Sequence, residues 1–292
     1  MGVGVLSKLS DSVRHITSNY KSYIINLFIY VVLLGLISFG ILFGMNVIAK
    51  SNTGAVACCL IPLGYLILIL ADIWLLIVLL VYIKRANKDP RVSIIDTIKD
   101  YLTVDFLKGK FVRYIINALV LYLVIAIIFT IIMLVVMFIL GSIFGIGMSH
   151  YSSQTSNPME AFAMFTGAMA LYLIVTIIVS LIISVFIIPW TYLGLFAIID
   201  DKSLSEALGF WRFSFSVDGF LSGLLSVIYS IVVTIIILVI FVLIGLVIKN
   251  PLVVLVISAI IYILAMPLFV ALLDYFYRIY GDVIKKKAKR KA

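Results

Sequence analysis

The sequence is poor in charge and in cysteine, and each shortage excludes a class of protein. Charged side chains make up 12% of the 292 residues, against about 25% in an ordinary soluble domain, so a water-soluble globule is excluded. Two cysteines are too few for a disulfide scaffold, and an apolar content of 65% excludes a disordered chain. The mean hydropathy of +1.30 is typical of a protein whose main solvent is lipid.

Long apolar runs alternate with polar segments along the chain, and the only charged residue within these runs is Asp72. A helix needs about 20 apolar residues to cross a hydrocarbon core, and every run reaches that length. Hydrocarbon offers no partner for a free backbone amide, so each run is expected to be helical. We predict one membrane domain, 1–292, an all-α polytopic bundle with six transmembrane helices within 22–49, 51–83, 115–141, 161–199, 219–248 and 250–273. In these runs Gly35 and Gly40 suggest close helix packing, and the glycines from Gly141 onward suggest that the third span ends in a loop.

Lysine and arginine are distributed very unevenly among the polar segments. The N-terminal segment carries three, segment 84–113 eight, segment 200–218 two and the C-terminal segment seven, 20 of the 22 in the chain. Cytoplasmic loops hold such an excess. The distribution therefore predicts a plasma-membrane protein with both termini and the two long connections in the cytoplasm.

The polar segments before spans one, three and five resemble each other, and the last two share a motif. Ser93 and Asp96 in one correspond to Ser203 and Glu206 in the other, and both pairs have the S-x-x-D/E spacing of a helix-starting capping box. Apolar residues at helical spacing follow, as in a helix lying on a membrane surface. We predict three hairpin repeats, each a cytoplasmic amphipathic helix plus two spans, over 1–83, 91–199 and 203–284, with a basic tail at 285–292.

A longer stretch of the second and third units resembles a known family. Pro189 to Tyr192, followed by the segment 197–208, resembles the repeated unit of uncharacterised six-helix prokaryotic membrane proteins. These are similar to the membrane domain found beside some glycerophosphodiester phosphodiesterases. The resemblance implies the six-helix architecture. It implies no phosphodiesterase activity, because these residues include no soluble enzyme domain of that kind.

One acid falls well inside a predicted span. Asp72 precedes Lys84 by twelve residues, which places it about 18 Å along the helix at 1.5 Å per residue, near the membrane midplane. An intramembrane charge is costly and marks a functional site by default. Asp72 is therefore the candidate proton or cation site, and the alternative is an acid that joins neighbouring helices by a hydrogen bond.

Other charges near the spans have simpler interpretations. Arg278 follows Asp274 at i+4, the spacing of a structural ion pair near the cytoplasmic boundary. The basic tail directly follows a span and is expected to contact anionic lipid headgroups rather than nucleic acid. Its candidate contact residues are Lys285, Lys286, Lys287, Lys289, Arg290 and Lys291.

Groups for catalysis are sparse. His15 and His150 are predicted on opposite sides of the membrane, and the adjacent Cys58 and Cys59 lack C-x-x-C spacing. We therefore expect no enzyme, no cofactor and no metal site.

Two function classes follow. The first is a non-enzymatic multi-pass protein that binds lipid or a membrane protein partner in an envelope or transport-accessory role. The alternative is a small-solute or ion transporter that uses Asp72.

Overall fold

Long apolar helices dominate the fold, because a chain surrounded by hydrocarbon must satisfy its backbone hydrogen bonds internally. The computed structural model describes residues 3–51, 55–101, 103, 109–110, 112–152, 158–248 and 250–291. Within these ranges the chain forms ten α-helices and no strand, so the prediction of an all-α bundle is confirmed.

Short and long helices alternate along the chain. In chain order they are α1 (Val3–Ser18), α2 (Tyr20–Ser51), α3 (Ala55–Ala86), α4 (Ile94–Tyr101), α5 (Val112–Ser152), α6 (Pro158–Ile199), α7 (Leu204–Leu208), α8 (Trp211–Ser214), α9 (Val217–Val247) and α10 (Pro251–Lys291). Six of those described are long and apolar enough to cross a membrane, namely α2, α3, α5, α6, α9 and α10.

Two of these helices extend further than the sequence predicted. α5 continues to Ser152, so the prediction of a loop after 141 was wrong. A glycine costs a helix only about 1 kcal/mol, and an unpaired backbone in apolar surroundings costs more, so the helix persists through Gly141. α10 likewise runs from the last span into the basic tail and ends at Lys291.

The first helix and the last turns of the last helix lie at the same end of the bundle. α1 packs along α10, and Lys8 of α1 pairs with Asp282 of α10. We call this the basic end: α1, α4, α7, α8, the segments between them and the adjoining spans, and the last turns of α10. One or two of its short helices precede each pair of spans. The helices therefore follow the order of the predicted units 1–83, 91–199 and 203–284. That these units are internal repeats stays a prediction.

Packing is dense near the basic end and loose toward the opposite end, which we call the outer half. In α3 every residue from Ile77 to Ile83 is buried. In α2, by contrast, Leu36, Phe39 and Phe43 are exposed, as are large apolar side chains of the other spans at the same end. The outer half therefore presents an apolar surface to its surroundings.

Glycines show the same difference. A Cβ on Gly223 of α9 would lie 1.7 Å from the carbonyl oxygen of Val185 in α6, so only glycine permits this approach of the two helices. A Cβ on Gly35 or Gly40 would meet nothing within 4 Å. The prediction of close packing at those two glycines was wrong, because no neighbouring residue faces α2 at these two positions.

The last span is central and the third is peripheral. α10 contacts α1, α2, α3, α6 and α9. α5 packs mainly against α6 and less closely against α3. This looser contact leaves a groove between α3 and α5, and Asp72 lies in it.

Candidate functional site

The groove between α3 and α5 is lined by one face of each helix. Four residues of α3 and four of α5 form it, in both cases at positions i, i+3, i+4 and i+7, the spacing of one helical face. They are Ile69, Asp72, Ile73 and Leu76 of α3 and Leu119, Tyr122, Leu123 and Ala126 of α5. The groove has a volume of about 480 Å³, within the range of small-molecule sites.

Asp72 is the one charged side chain among the residues that line this groove. It is exposed, and Leu123 across the groove is 55% exposed. Because α3 and α5 are membrane spans, that exposure is toward hydrocarbon, and the groove opens sideways. Among the described residues Asp72 has no hydrogen-bond or ion-pair partner. The alternative of an acid joining two helices therefore has no support in the described contacts.

Several tyrosines lie near Asp72. Tyr30 of α2 is buried and lies within electrostatic range of Asp72. Tyr122 lies within electrostatic range of Tyr30 and of Tyr192 of α6, and the Tyr192 ring stacks on Phe276 of α10. Asp72 therefore borders an aromatic layer that reaches into the centre of the bundle.

A second acid, Asp274, lies in the core of the basic end. Its side chain is 0% exposed. Arg278 Nε lies 2.9 Å from its Oδ2, so the two residues form the ion pair that their spacing suggested. Asn87 donates to the same carboxylate and accepts from Arg278 Nη2 at 3.1 Å. The charge of Asp274 is thus compensated on two sides by residues of α10 and of the chain just after α3.

His15 and Tyr23 lie close to this group. His15 Nε2 and Tyr23 Oη are 3.2 Å apart, and the two rings meet edge to face. Burial lowers the pKa of His15 from its usual value, although Asp274 opposes the shift. The centre of the basic end therefore favours a neutral imidazole.

The two acids after α6 hold the basic end together. Asp201 has a φ of 58°, and its amide bonds to Ile198 O at 3.1 Å while that of Lys202 bonds to Ala197 O at 3.0 Å, a Schellman helix end. Lys110 Nζ and Tyr114 Oη each lie 2.8 Å from the Asp201 carboxylate. The Lys110 contact lowers the pKa of Asp201. Asp200 pairs with Lys84.

Most acids at this end are already paired with cations. Seven of the 13 acids in the chain form ion pairs there. Seven other cations at this end have no ion pair among the described residues: Arg14, Lys21, Lys88, Arg91, Lys202, Arg212 and Lys285. Six of them are exposed, and Lys202 is half-buried. The basic end therefore has an excess of uncompensated positive charge.

The tail contributes to that excess only in part. Lys285 is exposed without an ion pair, whereas Lys286 lies 3.8 Å from Asp218. The side chains of Lys287, Lys289, Arg290 and Lys291 lie outside the described residues, so their predicted headgroup contacts stay predictions.

Exposed aromatic side chains accompany the cations. Phe215 is 66% exposed, Trp211 is also exposed, and Arg212 lies over the Trp211 ring at 5.7 Å. Such residues are typical of the membrane interface.

Several residues that matter here gave no signal in the sequence. Asn87 is a neutral residue in a basic segment, and its role depends on α10 returning beside it. Asn26 of α2 accepts from the Ile94 amide at 2.8 Å and so supports the start of α4. Tyr122 looked like an ordinary apolar position. The one usable signal was the i, i+3, i+4, i+7 spacing shared by the α3 and α5 faces.

The capping serines behave as the sequence suggested, although the paired acids do not. Ser203 Oγ accepts from the Glu206 amide at 3.3 Å, and Ser93 Oγ accepts from the Ile95 amide at 3.1 Å. No return bond from Glu206 or Asp96 to the serine amides occurs among the described contacts. At α7 the serine therefore caps the helix without a return bond from the acid, and at α4 Asn26 supplies a second acceptor beside Ser93.

Across the described part of the chain, no three His, Cys, Asp or Glu side chains form a group that could hold a metal ion. The side chains of Cys58, Cys59 and His150 lie outside the described residues.

The fold and composition together define a multi-pass membrane protein with six apolar helices. Comparison with protein families, with characterised proteins and with solved structures finds no match to the chain. The resemblance to the six-helix family stays a prediction.

Proposed function

We propose that the protein is a non-enzymatic plasma-membrane protein whose basic end, on the cytoplasmic side, binds anionic lipid headgroups in an envelope or transport-accessory role. The observation that carries this proposal is the excess of cations without ion pairs beside exposed aromatic residues at that end. A cation near an anionic bilayer surface gains about 1 kcal/mol, so several acting together give a substantial preference.

The way in which the acids are used supports a non-enzymatic role. General acid–base chemistry and metal binding both need carboxylates that are available to a substrate or an ion. Seven carboxylates of the basic end instead neutralise lysine or arginine. Four of these ion pairs, those of Asp200, Asp201, Asp218 and Asp282, join segments that are distant in sequence. These pairs serve the architecture.

A lipid-binding experiment tests this proposal. The purified protein would be mixed with phosphatidylglycerol or phosphatidylcholine in detergent, and the bound lipids counted by native mass spectrometry. We expect preferential retention of phosphatidylglycerol. The double variant Arg91→Gln/Arg212→Gln should lose much of that preference.

The matched control is Lys50→Gln/Lys249→Gln, which removes the same charge from the loops that the sequence places on the other side of the membrane. It should retain the preference for phosphatidylglycerol. Equal lipid retention by both double variants and the wild type would reject headgroup binding at the basic end.

A fluorescent protein fused to the C-terminus should fluoresce if that end is cytoplasmic.

The groove supports a second candidate, a small-solute or ion transporter with Asp72 as its proton or cation site. The specific observation is that Asp72 has no partner among the described residues and faces a groove rather than the packed core. Proteoliposomes loaded with a pH-sensitive dye would report proton flux driven by a sodium or potassium gradient. Flux by the Asp72→Asn protein at the wild-type rate would reject this candidate.

A further inference from the structure

The groove between α3 and α5 combines three properties that together specify a ligand. Its walls are apolar, it opens sideways to the hydrocarbon, and its one charged side chain is the carboxylate of Asp72. Lipid chains fill an apolar groove without needing a carboxylate. An acid that faces hydrocarbon is costly unless it is paired, so the groove is best complemented by an apolar molecule that carries a positive charge.

We propose that this groove binds lipophilic monovalent cations, such as hydrophobic amines or quaternary phosphonium ions, which enter it from the bilayer. This inference deepens the transporter candidate by giving it a substrate class, and it rests on Asp72 being that candidate's site. The carboxylate pairs with the cation, the aliphatic side chains contact its apolar groups, and the Tyr122 ring offers a cation–π surface.

The distribution of basic residues argues against a second copy of the chain as the occupant. Of the 22 lysines and arginines, 20 belong to the basic end in sequence, and Lys50 and Lys249 flank the other ends of the spans. None is placed to reach the depth of Asp72, about 18 Å along α3 from Lys84. A homodimer across this groove would therefore leave the carboxylate without a cation.

Size and position also fit a small molecule. A volume of about 480 Å³ is that of a small-molecule site. Tyr122 and the buried Ile73 line the groove beside Asp72, so a ligand that enters sideways would meet Asp72 before the core.

The test uses two ions of nearly equal shape and opposite charge. Tetraphenylphosphonium and tetraphenylborate would each be measured by equilibrium dialysis against the full-length protein in detergent micelles. We expect saturable binding of the phosphonium at least tenfold tighter than binding of the borate. Asp72→Asn should weaken phosphonium binding at least tenfold, while Asp72→Glu should keep most of it.

A steric variant provides an independent test that leaves Asp72 in place. Leu123→Trp would fill the groove and should abolish phosphonium binding. Its matched control is Leu134→Trp, an exposed position on the same helix outside the groove, which should bind as the wild type does. Thermal unfolding of each variant would verify that it is folded.

Several results would overturn the proposal. Equal binding of the two ions would show a groove occupied by lipid chains or apolar solutes without regard to charge. Unchanged phosphonium binding by Asp72→Asn, or by Leu123→Trp, would place the ion elsewhere. If Asp72-dependent proton flux persisted in proteoliposomes while phosphonium failed to bind, the transporter candidate would stand and only this ligand class would fall.

Discussion

The basic end and the outer half of the same six spans are packed in opposite ways. At the basic end, polar and charged side chains from distant segments meet in the core, and α6 and α9 approach as closely as a glycine allows. In the outer half the spans expose large apolar side chains, and Gly35 and Gly40 of α2 have open space around them. The contrast indicates that the bundle is held together mainly from one end, and that apolar surface stays open at the other.

The largest expected effect concerns the buried charge of the basic end. Asp274→Ala leaves Arg278 partly buried without its partner, and we expect a loss of about 3 kcal/mol in the free energy of unfolding. Titration with sodium dodecyl sulfate in mixed micelles would measure it. The control is Asp100→Ala, whose ion pair with Arg85 is exposed and should be worth less than about 1 kcal/mol. Similar losses for both variants would show that Asp274 is no more important than a surface pair.

Close helix packing gives the next effect. Gly223→Ala forces its new methyl group against the Val185 carbonyl, and we expect a loss of about 2 kcal/mol from this overpacking. Gly40→Ala introduces the same group into open space in the outer half and should change stability little. Thermal unfolding followed by size-exclusion chromatography would rank the two proteins. A more stable Gly223→Ala protein would contradict the described approach of α6 and α9.

A smaller effect is expected from the start of α7. Ser203→Ala removes the acceptor for the Glu206 amide, and loss of a helix cap typically costs about 1 kcal/mol. In the outer half, Ser142 Oγ bonds only to Phe138 O within its own helix, so Ser142→Ala should have almost no effect. The same unfolding assay compares the two variants. Equal losses of stability would show that the Ser203 cap is worth no more than the Ser142 hydrogen bond in the outer half.

The smallest effect is a dependence on pH. Burial lowers the pKa of His15 in the folded state below its usual value of 6.5. As the pH falls, the unfolded chain therefore takes up a proton at His15 before the folded protein does. Stability should therefore fall slightly as the pH drops from 7.5 to 5.5. His15→Gln removes that group, and its stability should change less over the same interval. Identical pH profiles for the two proteins would show that His15 does not respond to its surroundings at the basic end.

The comparison also explains which features could be predicted. The six spans follow from the lengths of uncharged runs, because each helix satisfies its own backbone whatever its neighbours are. Close helix packing was predicted at Gly35 and Gly40 and is absent there. Close helix packing at Gly223 was not predicted and is present. All three glycines lie in apolar runs, and the arrangement of neighbouring helices separates them.

The candidate site divides in the same way. Asp72 stands out in the sequence because an acid inside an apolar run is rare. The spacing of Asp274 and Arg278 likewise suggested their ion pair. The groove, the orientation of Asp72 toward it and the contribution of Tyr122 depend on how α5 lies beside α3. Asn87 joins Asp274 only because α10 returns past the end of α3.

The sequence by itself determined the solvent of this protein, its six apolar helices, the concentration of positive charge in one set of segments and the intramembrane acid, since these depend on composition and on order along the chain. The tertiary structure decided that one half of the bundle is packed and the other open, that Asp274 is enclosed and compensated, and that Asp72 faces an apolar groove. These features are contacts between residues far apart in sequence, and the energy of such a contact depends on distances that no local pattern specifies.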